Sequence, residues 1–507
     1  MKSYEKRSNI KPPYIIAWEN SSKNKKKLAS KKCSEIFFFN CPSIKEKHRN
    51  IKIIWLIIVF GGLSGFTYSS YKFLTNFFEY PVVVNLEVEN EGELFFPAVT
   101  VCNSNRMRVS ELHKDVCKSK RKSCEYLRII HESSSDIENK PEFVFKFATC
   151  SNSSKREMTL YHQKLLAFTN TFSRFEDWKI KQMSHRIEDM IEECTFDGEK
   201  CDASSFTPLE SLTYGSCYTF NGRWMNSRGS KDMGRRKRKK FIEDKNEKLI
   251  SRSTNPFSGL SLTLNVQIEE YLSITSKMGV HVIIHSPDER PYPEETGIDI
   301  STGFDTAFAI QENDYRRMSK PFKDKCVLYG RDDFKKMKSQ KECLSLCIRD
   351  MIKKECGCLD PTWKFYRNVT FCDLTKEEDA CCMIKMRKVN ISYCQCPLPC
   401  HEITYDISLY STIWPSESEF KLRSLNNLSK DITYEEYRKG HLQMNVFFGR
   451  MERFVYNQHP VYEKDEFFSH LGGQLSLWLG LSLLTLFEYL EKFSLFCIQV
   501  YKNWSRK

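Results

Sequence analysis

Leu471-Gly-Gly-Gln-Leu-Ser-Leu-Trp-Leu-Gly-Leu-Ser-Leu-Leu-Thr-Leu-Phe-Glu488 is an apolar run of membrane length that carries small and hydroxyl residues at helical spacing and ends on a carboxylate. Phe467 to Phe487 is 21 residues with only His470 titratable, and about 20 residues suffice for a spanning helix. At about 100° per residue, Ser469, Gly473, Ser476 and Gly480 share one narrow sector, where small side chains allow close helix approach or line a polar path. Ser482, Thr485 and Glu488 project to roughly the opposite side. Either the stripe wraps around the helix, or the helix breaks near Gly480–Ser482 and restarts. A break at membrane depth is tolerated only where the freed backbone lines a water-filled cavity or lies buried in protein. Bare carbonyls there replace part of a cation's hydration shell. The plainer alternative is a single-span anchor whose Gly and Ser residues mediate packing.

A second apolar run, Ile53 to Tyr71, holds 19 residues without a charge. Residues 1–52 before it carry 14 Lys/Arg against 4 Asp/Glu, most of the chain's net charge of +13. An apolar core this long, starting this far into the chain, is a poor match to a signal peptide. The basic flank places the amino terminus in the cytoplasm, and two spans return the tail to the same side. The basicity thus reads as an orientation signal and not as a nucleic-acid footprint. Lys23 to Lys32 is suited to anionic lipid. The expected organisation is a cytoplasmic tail (1–52), a transmembrane helix (53–72), an extracellular cysteine-rich domain (73–466), a second transmembrane helix with the pore (467–490) and a cytoplasmic tail (491–507).

Of 21 cysteines, Cys33, Cys41 and Cys497 fall in the predicted tails or beyond the second span, which leaves 18 outside. That even number on the oxidising side reads as a disulfide framework. Eleven of them lie between Cys326 and Cys400, including Cys343-x3-Cys347, Cys356-Gly-Cys358, Cys381-Cys382 and Cys394-Gln-Cys396-x3-Cys400. Zinc is the competing reading of such spacing, and extracellular placement argues against it. The pairing cannot be read from the spacing. Bridge candidates are Cys102, Cys194, Cys201, Cys217, Cys326, Cys343, Cys347, Cys356, Cys358, Cys372, Cys394, Cys396 and Cys400. Glycosylation sequons at Asn152, Asn368, Asn390 and Asn427 lie in the same region. The run Arg235-Arg-Lys-Arg-Lys-Lys240 resembles a furin-type site cut after Arg238, or else is a solvated basic loop.

β-Branched content and partial alternation predict strands at Val82–Val88, Phe96–Cys102, Gly259–Gln267, Val280–Ile284 and Met444–Phe454. Helix is expected through residues 105 to 200, as in Ser184–Glu193, and again over Phe334–Lys354. Strands from both ends of the ectodomain with helices between them suggest a central sheet decorated by helical lobes. An enzyme is not expected: there is no Gly-x-Ser-x-Gly elbow, no His-Glu-x-x-His and no phosphate-binding glycine loop. His281 and His285 fall on a predicted strand, where packing or surface roles suffice.

The chain resembles the degenerin/epithelial sodium channel family from the first span to the second. The resemblance rests on Phe96-Pro-Ala-Val-Thr-Val-Cys-Asn103, Cys194-Thr-Phe-Asp-Gly-Glu-Lys-Cys201, Tyr214-Gly-Ser-Cys-Tyr-Thr-Phe-Asn221, Gly279-Val-His-Val-Ile-Ile-His285, the cysteine cluster and Leu471-Gly-Gly-Gln474. It implies a trimer, homomeric or built with related subunits, in the plasma membrane. Its second spans surround a sodium-selective, amiloride-blocked pore, and its ectodomain is an α+β assembly of palm, ball, finger, thumb and knuckle. No cofactor is implied beyond the permeant sodium ion, and no nucleic-acid partner. The family's Gly-x-Ser filter falls on Gly480, Leu481 and Ser482.

Ser469 matches the position where a small side chain lets the pore close, with His470 and Gly473 beside it at the mouth. Glu488 matches a carboxylate below the filter. Tyr80 and Phe322 match two aromatics that meet where ectodomain motion reaches the membrane, Phe322 replacing the usual Trp or Tyr. One departure stands out: Lys45 and Glu46 occupy the place of the family's His-Gly pair before the first span. Loss of that glycine removes backbone freedom and keeps open a second reading, a non-conducting accessory subunit that depends on relatives for current.

Overall fold

The computed structural model describes residues 49–111, 168–169, 172–173, 175–211, 213–224, 249–331, 337–360, 370–373, 376–386, 391–425 and 432–504. Helix α1 covers Arg49–Phe78, and strands β1 (Val82–Asn90), β2 (Leu94–Phe95) and β3 (Ala98–Asn103) follow it. Next come β4 (Ile191–Phe196), β5 (Glu199–Lys200), β6 (Phe206–Ser211), β7 (Gly215–Phe220) and β8 (Ile250–Ser251). Then β9 (Leu260–Asn265), β10 (Gly279–His285), β11 (Ile298–Ser301) and β12 (Phe304–Arg316) precede two helices, α2 (Gln340–Cys356) and α3 (Glu377–Met386). The chain closes through β13 (His401–Ile413), α4 (Tyr434–Gly440), β14 (His441–Pro460), α5 (Lys464–Leu479) and α6 (Leu483–Trp504). The described residues up to Lys72 together with those from Phe468 onward make one compact unit, and those from Phe73 to Phe467 make the other.

In the larger unit, where a central sheet is expected, the described strands form two large sheets, with β2 and β8 paired separately. Seven strands form the first, in the order β13-β12-β14-β9-β4-β5 with β1 also on β14, and five form the second, β11-β10-β3-β7-β6. The reason lies in the alternation. Leu442, Met444, Val446 and Phe448 of β14 and Phe308 and Ile310 of β12 are fully buried, facing one core shared with Val99 and Val101 of β3 and Val280 and Val282 of β10. Two apolar faces seal each other, which a single sheet cannot do. The same inward register of β12 carries Glu312 to 2% exposure. There Arg453 Nε donates to Glu312 Oε1 at 2.7 Å, with Glu89 and Glu91 also within reach of Arg453. Burial pushes the Glu312 carboxyl up, and the Arg453 guanidinium only partly offsets this. Pairing of β12 with β14 jumps here from Ile310–Phe448 to Glu312–Arg453, so Gly449–Glu452 stand outside the ladder.

The helix expected over Ser184–Glu193 is a single turn, Ile187–Met190, that passes into β4. Tertiary pairing decides this: Ile191–Phe196 lies antiparallel on Leu260–Leu264, with β5 paired beyond it at the edge of the larger sheet. Helix α2 starts at Gln340 because Ser339 accepts the backbone N–H of Glu342, and it ends where Gly357 adopts a left-handed φ of 69°. Most of the remaining helical expectation in 105–200 lies outside the described residues.

Candidate pore and gating site

The apolar run Phe467–Phe487 is divided between two helices. Helix α5 ends at Leu479, and Gly480 takes φ +64° while its N–H still donates to Ser476 O at 3.0 Å. A left-handed residue closing on the carbonyl four back is a standard helix terminus, and glycine adopts it without the Cβ penalty. Two residues on, Ser482 begins α6 as its cap. Its Oγ accepts the Thr485 N–H at 3.3 Å, and Thr485 Oγ1 reaches back to accept the Ser482 N–H at 2.9 Å. This reciprocal pair satisfies two donors of the new helix and fixes where it starts. Leu481 alone links the two caps. The last carbonyls of α5 therefore have no following helical turn to donate to them.

Within the same unit, α5 meets α1 through glycine. A Cβ on Gly62 would stand 2.7 Å from Trp478 O, and one on Gly65 would stand 2.5 Å from the Trp478 ring. The indole Nε1 donates to Gln474 Oε1 at 3.0 Å, which holds the ring in that seat. Ser469, His470 and Gly473 are exposed on α5, and Glu488 is exposed on α6. By length and composition, Ile53–Phe78 is the one described helix apolar enough to cross a membrane. The later run does not add a second: it is split between α5, 16 residues long, and α6, whose 22 residues include Glu488, Glu491, Lys492 and Lys502.

In the ectodomain unit the structure brings Tyr80 and Phe322 together, with ring centroids 5.7 Å apart in an edge-to-face arrangement. Sequence reasoning missed what surrounds them: Phe77 packs on Phe467 at 4.8 Å, and Phe73 meets Tyr462 edge-on at 5.5 Å. The missed signal is Phe73 and Phe77 one helical turn apart at the end of α1. Tyr80 itself has φ +49°, the turn that leads from helix into β1. Val461 N–H then donates to Pro81 O at 3.0 Å, tying the residue before β1 to the residue after β14. Gln458 accepts the Met318 N–H and donates to Asp324, so the end of β14 holds the loop that carries Phe322.

All thirteen candidate cysteines are paired: Cys102–Cys217, Cys194–Cys201, Cys326–Cys400, Cys343–Cys396, Cys347–Cys394, Cys358–Cys372, and Cys356 with Cys382, which was absent from the candidates. Asn152, Asn368, Asn390, Asn427, Arg238, Lys45 and Glu46 lie outside the described residues.

The described residues thus combine one helix long and apolar enough to cross a membrane with a disulfide-braced, strand-rich unit. The family model for the amiloride-sensitive sodium channel matches residues 33–491, and the chain belongs to that family, whose members are plasma-membrane ion channels and not enzymes. It is 26% identical to degenerin-like protein asic-1 of Caenorhabditis elegans over 64% of this chain and 38% of the relative. It is 23% identical to epithelial sodium channel subunit gamma of Xenopus laevis over 83% of this chain and 65% of the relative. Acid-sensing ion channel 4-B of Danio rerio is 25% identical over 86% of this chain and 70% of the relative. The chain thus spans less than two thirds of the length of the first two.

Proposed function

We propose that the chain is a pore-forming subunit of a sodium-selective, amiloride-blocked channel that opens in response to a stimulus on its ectodomain. It works as a homo- or heterotrimer with related subunits, with both termini cytoplasmic and the lysine-rich tail on anionic lipid. Gly480, Leu481 and Ser482 form the filter, Ser469, His470 and Gly473 the mouth and gate, and Glu488 the inner carboxylate. Tyr80 and Phe322 couple the ectodomain to the pore. The observation that carries this reading is the capped break at Gly480–Ser482, because carbonyls freed at a helix break are the kind of ligand that can replace an ion's water. The alternative, a non-conducting accessory subunit, draws support from Lys45 and Glu46.

The test is expression of the chain alone in oocytes under voltage clamp, with and without amiloride, comparing Ser469→Cys with the parent after a bulky cationic thiol reagent. The parent control is required because Cys497 is free and exposed. Modification is expected to hold the pore open and reveal an amiloride-blocked sodium current in the variant only. Silence despite confirmed surface expression rejects autonomous conduction in favour of the accessory role.

A further inference from the structure

A cavity of about 170 Å³ opens where four stretches of the ectodomain converge: Glu289, Val327–Tyr329, Lys338–Lys341 and Pro399–Glu402. Most of its polar groups are spoken for. Lys338 donates to Trp224 O, Glu402 pairs with Arg317 at 2.8 Å, and His401 faces Asp314 at 2.8 Å. Two groups of opposite charge are different. Neither the Glu289 carboxyl nor the Lys341 ammonium has a hydrogen-bond or ion-pair partner among the described residues, and they do not reach each other. They nevertheless feel each other: burial pushes Glu289 up, and Lys341 pulls it partly back. Val327, Leu328 and Pro399 supply apolar lining to the same cavity.

We propose that this cavity binds a small zwitterion, a free amino acid with an apolar side chain. Its ammonium sits on Glu289, its carboxylate on Lys341, and its side chain against Val327, Leu328 and Pro399. The size agrees, since a cavity of about 150 Å³ already takes a benzene ring. Charge pattern decides against the simpler ligands. An anion alone leaves the half-buried Glu289 uncompensated, and a cation alone makes no use of the exposed Lys341 ammonium, whereas a zwitterion forms a charge-assisted hydrogen bond at each end. Val327 exchanges backbone hydrogen bonds with Leu398 and Cys400. The same segment leads back to Phe322, so an occupant bears on the chain that carries the Tyr80 contact.

The test is thermal unfolding of the purified full-length chain in detergent, titrated separately with L-leucine, leucinol and 4-methylpentanoate. The reading is binding and needs no current, so it stands or falls apart from conduction. L-Leucine is expected to raise the melting midpoint saturably, and the two analogues, each lacking one charge, are expected not to. Glu289→Gln and Lys341→Met are each expected to raise the half-saturating leucine concentration by about tenfold or more. No response to leucine, an equal response to either analogue, or an undiminished response in both variants would overturn the proposal. If a variant fails to fold, the comparison of the three ligands on the parent decides.

Discussion

Gly480 and Ser482 divide one task between two kinds of chemistry. The glycine supplies a backbone conformation, and the serine supplies a side chain. Among the described residues of one subunit, chain neighbours aside, no atom lies within 4 Å of a Cβ built on Gly480, so alanine there meets no clash within the subunit. It meets only the cost of left-handed φ, roughly 1–2 kcal/mol. Gly472, with equally open space and no positive φ, is the matched control, since alanine in a helix interior is favoured over glycine. Gly480→Ala is therefore expected to lower sodium current or selectivity at equal surface expression, while Gly472→Ala leaves both intact. Ser482→Ala, which removes the acceptor for the Thr485 N–H, is expected to cost about 1 kcal/mol of helix start, and Ser482→Thr to restore function. Equal loss from the two glycine variants, measured as reversal potential and current per surface subunit, would show that space and not backbone conformation matters there.

At the scale of elements, the aromatic contact between Tyr80 and Phe322 joins the end of α1 to the loop before Cys326. Edge-to-face rings of this kind contribute about 0.5–1.5 kcal/mol beyond their burial, enough to bias a two-state gate but too little to hold the fold. Tyr80→Ala and Phe322→Ala are thus expected to change the fraction of current present before Ser469→Cys is modified. Current after modification should survive, because a wedged pore no longer needs the coupling. A double-mutant cycle on the unmodified fraction should show the two changes to be non-additive; strict additivity would mean that the rings do not act as a pair.

Elements are also where sequence and structure agree unevenly. Strands at Val82, Phe96, Gly259, Val280 and Met444 were legible because β-branched and apolar residues recur at period two. The break at Gly480 was legible because the small-residue stripe changes face there. Partner choice was not, since β12 and β13 pair across 13 residues of each strand with no local mark of either partner. Ser184–Glu193 misled because Ile187, Met190 and Ile191 fit a helical period that one turn already satisfies. The cysteine pairing is clear only with α2 in hand: Cys343 and Cys347 sit one turn apart on that helix and face Cys396 and Cys394.

Across the whole ectodomain, two imidazoles set how the fold answers to acid. His185 is 1% exposed, its Nδ1 facing Gln267 Oε1 at 2.7 Å and its Nε2 facing the Asn105 amide nitrogen at 2.9 Å. His285 lies between the Ser286 carbonyl and Thr100 Oγ1, each at 2.9 Å. Neither geometry offers a carboxylate, and burial lowers both rings to about 4. The unfolded chain takes up these protons near the ordinary value of 6.5, whereas the folded chain does not. The associated stability is therefore complete above pH 6.5 and is lost progressively as pH falls toward 4. Between pH 7 and pH 5 the loss is about 2 kcal/mol per ring, a sizeable part of the roughly 5–15 kcal/mol that holds a domain. Glu289, Glu295, Asp305 and Glu312, all raised by burial, act with the opposite sign as the folded state gains their protons. Only a comparison of variants isolates the histidines. The melting midpoint of His185→Gln with His285→Asn is expected to fall less than the parent's over that interval, even if it starts lower. Parallel curves would mean that the rings take up protons in the fold as readily as in the unfolded chain.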